Sequence, residues 1–138
     1  MNTWLVDTGP LVAYLDSNDR AHHRVSASLD DFVGQLATTS AVVTETMHFV
    51  GASRAGPRLL AEFVGASGLQ VYDFSRPSEL HEAVRLMEKY ADTPMDYADA
   101  TLVLLADGLE VWEILTLDRR GFSTYRTKGR RAFRLVLD

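Results

Sequence analysis

The feature that most narrows the folds open to this chain is the alternation of two hydrophobic periods. Short apolar runs, of which TWLVD (3–7) and WEILTLD (112–118) are the clearest, alternate with longer segments whose apolar residues recur at helical spacing. A short, continuously apolar run is what a strand covered on both faces requires, and strands separated by helices pair in parallel. The order of elements therefore predicts an α/β protein, a three-layer α/β/α sandwich with a mostly parallel central sheet. With 138 residues, 46% of them hydrophobic, the chain has the size of one domain (1–138) and can bury a core without staples.

Punctuation places the elements. GPLVAYLD (9–16) reads as a first helix, with Thr8 or Gly9 near its start and Pro10 in its first turn, where a missing amide is tolerated. SNDRAHHRVSASLDDFVGQL (17–36) predicts a second helix, spaced by Val25, Leu29, Phe32 and Leu36. LATTSAVVTETMHFVGAS (36–53) turns from β-prone to helical midway, carrying Val42, Val43, Met47 and Phe49, with Glu45 in the helical part. PRLLAEFVGAS (57–67) reads as a helix and GLQVYDF (68–74) as a strand, with Gly65 and Gly68 marking the break. PSELHEAVRLMEKYAD (77–92) is an amphipathic helix with Leu80, Val84, Met87 and Ala91 on one side. MDYADATLVLLADGL (95–109), after Pro94, is apolar on most faces and predicts a buried helix; FRLVL (133–137) reads as a last strand.

Composition and motifs remove several functions. The absence of cysteine excludes disulfides and thiol metal sites and is compatible with a reducing cytosol. The first residues lack the pattern of a signal peptide, and no run has the roughly 18 apolar residues that span a bilayer, so a soluble, cytoplasmic protein with no membrane partner is expected. No GxSxG, GxGxxG or GxxxxGK[ST] occurs, which argues against that type of serine hydrolase, dinucleotide cofactors and P-loop nucleotides. His22, His23, His48 and His81 have no zinc-site spacing and read as ordinary structural or solvated residues.

Charge is segregated along the chain. The formal net charge is −5, yet residues 1–118 hold 7 basic and 18 acidic side chains, net −11, while residues 119–138 hold 7 basic and 1 acidic, net +6. The stretch RRGFSTYRTKGRR supplies Arg119, Arg120, Arg126, Lys128, Arg130 and Arg131, with Phe122 and Tyr125 interleaved. Such a run suits a surface that contacts phosphates, and a solvated or partner-bound basic tail explains it equally.

The acidic residues carry the chemistry. Open parallel sheets bind ligands outside the carboxyl ends of their strands, and Asp7 and Asp118 each end an apolar run. Asp96 and Asp99, three apart, share one face at the start of the helix after Pro94, and Glu45 stands in an otherwise apolar helical turn. Each has an ordinary structural explanation: a helix cap for Asp7, a dipole partner for Asp96 or Asp99, a solvated Glu45, a turn residue at Asp118. Together they repel. At an effective dielectric of 20, two like charges 4 Å apart cost about 4 kcal/mol, so such a cluster needs protons or cations. Hard oxygen donors without cysteine point to Mg2+ or Mn2+ rather than zinc.

In order and spacing, VDTGPLVAYLD, TTSAVVTETMHFV, MDYADATLVLLADGL and ILTLDRRGFSTYR resemble the PIN domain, and more narrowly the VapC-type toxins of toxin-antitoxin pairs. The resemblance spans nearly the whole chain. It implies a metal-dependent endoribonuclease whose acids fall on Asp7, Glu45, Asp99 and Asp118, with Thr8 and Thr116 at supporting polar positions. Asp7 and Asp99 are then the principal metal ligands, with Glu45 and Asp118 completing the acidic pocket and orienting the attacking water. Asp96 is either an added acid at the pocket edge or a replacement for Asp99, of which Asp99 is favoured. The resemblance further implies an RNA substrate, a rim built from the C-terminal basic run, a homodimer, and a cognate antitoxin that presents an arginine or similar group to the acids. Val43, Met47, Phe49, Leu60 and Phe63 are candidates for a groove or dimer face and equally for core. A catalytically silent binding module and another metal-dependent phosphohydrolase, such as an aspartyl phosphatase, remain as alternatives; the latter wants a second acid where Gly9 stands.

Overall fold

A computed structural model describes residues 2–137. The chain runs β1 (Thr3–Val6), α1 (Thr8–Leu15), α2 (His22–Asp31), β2 (Gln35–Thr39), α3 (Ser40–Val50), α4 (Gly56–Ser67), β3 (Gln70–Tyr72), α5 (Pro77–Lys89), α6 (Tyr97–Leu109), β4 (Glu113–Leu115), α7 (Arg119–Thr124) and β5 (Arg134–Leu135). The five strands form one sheet in the order β3-β2-β1-β4-β5, and every pairing is parallel. Leu5 and Val6 in β1, and Ile114 and Leu115 in β4, are all 0% exposed. Successive strand side chains point to opposite faces, so the sheet is covered on both sides and the sandwich is three layers deep.

Strand order fixes where a site can form. From β1 the chain moves outward to β2 and β3, then returns across the sheet to β4 and β5. The reversal falls between β1 and β4, which pair with Leu5 opposite Ile114 and Val6 opposite Leu115. The loops leaving these two strands diverge to opposite sides and leave a crevice at their carboxyl ends.

α6 is the helical centre of the core, with Ala98, Ala100, Leu102, Val103, Leu105 and Ala106 buried. Its polar members are satisfied internally: Thr101 Oγ1 donates to the Ala98 carbonyl at 2.6 Å and lies 2.8 Å from Thr39 Oγ1 at the end of β2. No helix among the described residues is long and apolar enough to cross a membrane.

Four sequence expectations are corrected. α2 ends at Asp31, and Leu36 belongs to β2 rather than to that helix. Between them Gly34 takes φ +154° with no room for a Cβ beside the Asn2 carbonyl, and Gln35 N–H then donates to that carbonyl at 2.8 Å. In α5 the side that packs is centred on Ala83, while Leu80 and Val84 are 42% and 50% exposed. The basic run holds a short helix, α7, because Asp118 caps it by accepting from Gly121 N–H at 3.0 Å. Phe122 and Tyr125 are not surface aromatics: both are fully buried, packed edge to face with centroids 5.1 Å apart, and Tyr125 Oη donates to the Pro94 carbonyl at 2.6 Å.

Candidate active site

The crevice between β1 and β4 is lined by six carboxylates, Asp7, Asp19, Glu45, Asp96, Asp99 and Asp118, with Thr8, Val12, Phe49 and Leu117 among its walls, and encloses about 510 Å³. All five acids singled out by sequence reach it, from segments as distant as β1 and α7. Asp7, directly after β1, caps α1: its Oδ1 accepts from Thr8 N–H at 2.8 Å and its Oδ2 from Thr116 Oγ1 at 2.7 Å. Thr116 also accepts from Asp118 N–H at 3.0 Å, which ties the ends of β1 and β4 together. Thr8 Oγ1 donates to Glu45 Oε1 at 2.6 Å, orienting the α3 carboxylate from the first turn of α1. Asp96 and Asp99 form a reciprocal capping box at the start of α6, with Asp99 N–H donating to Asp96 Oδ1 at 2.8 Å and Asp96 N–H to Asp99 Oδ2 at 3.1 Å. The capping explanations are therefore correct as local structure, and they set the acids at helix starts around one crevice.

Crowding shows in the protonation equilibria. Burial pushes the Asp7 carboxyl up to about 6, opposed by the hydrogen bonds from Thr116 and Thr8 and reinforced by the charges of Asp96 and Asp118. Asp99 is pushed up to about 8, first by burial and then by Asp7 and Asp96. Glu45 is also raised by burial, against the hydrogen bond from Thr8. The field extends beneath the crevice, where the Tyr125 phenol is raised by burial and then by Asp99 and Asp118. A carboxyl raised to about 8, as Asp99 is, stays largely protonated at neutral pH, and a cation beside it would favour its charged form.

The donors fit a hard divalent cation: all are carboxylate or hydroxyl oxygens, no histidine lines the crevice, and the electrostatic deficit has the right sign. Among the described residues no three such side chains already converge closely enough to hold an ion, so the acids ring the crevice rather than close on a point.

The basic run is dispersed. None of Arg119, Arg120, Arg126, Lys128, Arg130 and Arg131 lines the acidic crevice. Arg119 and Arg120 follow Asp118 at the start of α7, with Arg119 Nη1 held by the Leu137 carbonyl at 3.0 Å. Arg131 lies over the Trp112 ring, 3.7 Å from its centroid, beside Thr3 and Glu113 at the opposite, amino-terminal ends of the strands. Arg126, Lys128 and Arg130 line a separate cleft against α5 and α6.

Positive charge beside the crevice comes instead from Arg20 and Arg24, which border a smaller hollow sharing Asp19 and Leu117 with it. Asp19, Arg20 and Arg24 were not singled out by sequence. The sequence predicts SNDR as the start of the second helix, but α2 begins only at His22, and the turn ahead of it is brought to the crevice by the packing of α1 on α2. On the other flank a larger hollow of about 670 Å³ shares Glu45, Phe49 and Asp96 with the crevice. Of the apolar groove candidates, Leu60 is buried core, whereas Met47 and Phe49 are 37% and 55% exposed.

Comparison with known proteins identifies the family. Residues 4–128 match the PIN domain. The chain is 35% identical over 136 residues to Ribonuclease VapC26 of Mycobacterium tuberculosis, covering 96% of this chain and 98% of that one. Among solved structures it resembles VapC20 of the same organism, described as a Sarcin-Ricin loop cleaving toxin, with TM-score 0.71, 16% identity, and 83% and 89% of the two chains covered. It also resembles VapBC2 from Rickettsia felis, bound to a DNA fragment from its promoter, with TM-score 0.58, 16% identity, and 83% and 86% covered. With its acids at the switch point of a parallel sheet and this likeness along its length, the chain belongs to the PIN-domain family, among its VapC-type members.

Proposed function

We propose that the chain is an endoribonuclease toxin that hydrolyses RNA phosphodiester bonds at the acidic crevice with Mg2+ or Mn2+. The observation that carries this reading is the gathering of Asp7, Glu45, Asp96, Asp99 and Asp118 around one crevice from separate elements. A divalent cation bound there supplies charge neutralisation at the phosphoryl oxygens and a lowered pKa for the attacking water. Asp7 and Asp99 would hold it, with Asp96 and Asp118 adding charge around them. Thr116 fixes the orientation of Asp7 through the bond to Oδ2. Glu45, aligned by Thr8 at Oε1, is placed to take the proton of the attacking water. Arg20 and Arg24 offset the repulsion between an acidic crevice and the RNA backbone at the edge nearest the reaction.

The chain acts on this reading as a single domain and as a homodimer, and is silenced by a cognate antitoxin protein. Exposed Phe49, which borders both the crevice and the larger hollow beside it, offers an apolar edge for that partner.

The test is cleavage of a mixed RNA by purified protein with Mg2+, with Mn2+ and with EDTA, alongside Asp99→Asn at matched folding. We expect cleavage only with a divalent cation, and a drop of about 10³-fold in Asp99→Asn, roughly 4 kcal/mol of transition-state stabilisation. Full activity in EDTA, or in Asp99→Asn, would overturn the reading and favour a module that binds without hydrolysis.

A further inference from the structure

The cleft that receives the remaining basic residues is a second concentration of charge, unconnected to the acidic crevice by any shared lining residue. It encloses about 490 Å³ between α5, α6 and the turn 126–130. Arg85 and Lys89 reach it from α5, and Arg126, Lys128 and Arg130 from the turn, over a floor that includes Leu86 and Leu104. Against these five cations it holds two carboxylates, Glu82 and Asp107, an excess of three positive charges on a chain whose net charge is −5. Among the described residues Arg85 alone of the five is in an ion pair, with Glu82.

The backbone of the turn is fixed, while Arg85, Lys89, Lys128 and Arg130 present exposed side chains. Arg126 Nη1 donates to the carbonyls of Ser123, Thr124 and Tyr125 at 2.9, 3.1 and 2.9 Å. Asp107 does not neutralise a side chain; its Oδ2 accepts from Lys128 backbone N–H at 2.9 Å and so anchors the turn to α6. Arg130 closes the turn by donating its N–H to the Thr127 carbonyl at 2.8 Å, and it does so at φ +63°. That left-handed conformation falls on an arginine although Gly129 is its neighbour, and a residue with a Cβ keeps it only where the surroundings impose it.

We infer that this cleft binds the phosphate backbone of single-stranded RNA, as a contact outside the reaction site. The inference rests on the endoribonuclease reading, since it names where the substrate is gripped. Repeating anions with no fixed base geometry are what five clustered cations over an apolar floor accommodate. The two sites border one helix: Asp99 stands in the first turn of α6 and Asp107 eight positions on, about 12 Å along the axis at 1.5 Å per residue. A short stretch of single strand spans that distance. An RNA held at both sites gains affinity that a fragment confined to the crevice lacks.

The experiment measures binding of a single-stranded RNA oligonucleotide to the full chain against salt, in EDTA and on an Asp99→Asn background, so that it does not depend on cleavage. Lys128→Gln/Arg130→Gly removes two cleft charges while giving the left-handed position to glycine. Lys89→Gln/Lys128→Gln is the second variant, altering no backbone-constrained residue. Arg54→Gln/Arg58→Gln, two exposed cations elsewhere, matches the charge change. With melting temperatures matched, each cleft variant is expected to lower the slope of log K against log salt by about 1.4, two phosphate contacts at roughly 0.7 each. The matched control should leave the slope nearly unchanged. An equal change in control and cleft variants, an unaltered slope in the cleft variants, or no salt-dependent RNA binding at all would overturn the inference. So would an unaltered RNA slope accompanied by lost binding of poly-glutamate, which would make the cleft a site for an acidic protein segment. Binding that behaves as expected in a protein that never cleaves RNA would sink the hydrolytic reading and leave the cleft standing.

Discussion

One carboxylate, Asp7, uses its two oxygens for different bonds: Oδ1 closes the first turn of α1, and Oδ2 accepts from Thr116. Its position was legible because an aspartate ends an apolar strand. The upward push on its pKa was not, since that comes first from burial of the carboxyl and then from Asp96 and Asp118, which come near it only in the fold. That push predicts an unusual pH response. A carboxyl whose pKa rises on folding favours the fold when protonated, so that stability is fully present below the unfolded pKa and lost as pH climbs through the folded one. For Asp7 the window runs from about 3.9 unfolded to about 6 folded. For Asp99 it extends to about 8. In EDTA these two acids should make the melting temperature fall between pH 4 and pH 8, with Asp7 alone contributing roughly 3 kcal/mol. Asp99→Asn should flatten the upper part of that decline, as read by thermal unfolding across the range, and a melting temperature that rises with pH would contradict the account. Gly121 is a second residue whose role emerges only in three dimensions. A Cβ there would run into the Asp118 carboxylate and come within 3.0 Å of Tyr125 Cε2. Gly121→Ala should therefore cost about 1 kcal/mol through the lost cap. It should also reduce cleavage more than the unfolded fraction explains, measured by urea unfolding beside an RNA cleavage assay.

At the scale of elements, legibility followed how completely an element is buried. β1, β4 and α6 were readable because their apolar residues face protein on nearly every side, so the sequence needs no partner to be interpreted. α6 sets Asp96 and Asp99 at the crevice from a helix whose Leu102 is 0% exposed. Leu102→Ala should lower unfolding free energy by about 2–5 kcal/mol through lost burial and the cavity left behind. A loss below 1 kcal/mol in denaturant unfolding would mean that the helix packs less tightly than its burial indicates. Elements at the edges were harder to read. α2 and β2 merged in the sequence because Phe32 and Leu36 continue the helical spacing by coincidence, and the break depends on Gly34 meeting the Asn2 carbonyl. α7 was hidden in a basic run whose aromatic residues looked exposed, although Phe122 packs on Phe133 with centroids 5.3 Å apart.

Over the whole molecule, the segregation of charge seen in the sequence survives, but not as a single rim. The six C-terminal cations part company because a tight turn sends Arg126, Lys128 and Arg130 toward α5, while Arg131 lies over Trp112 at the far end of the sheet. Linear proximity could not foretell this, since the separation occurs within a few residues. The acids illustrate the converse, being far apart in the chain and close in space. The Thr116 to Asp7 hydrogen bond joins residues 109 positions apart, and β1 cannot take its place beside β4 until nearly the whole chain exists. Contacts of such long sequence separation form late, after the entropy of closing a large loop has been met. A ribosome making this protein thus releases most of the chain before the crevice can be assembled. The hazard of making a ribonuclease beside the RNA that encodes it is deferred by topology, leaving an interval in which an inhibitor can meet a chain that is not yet an enzyme.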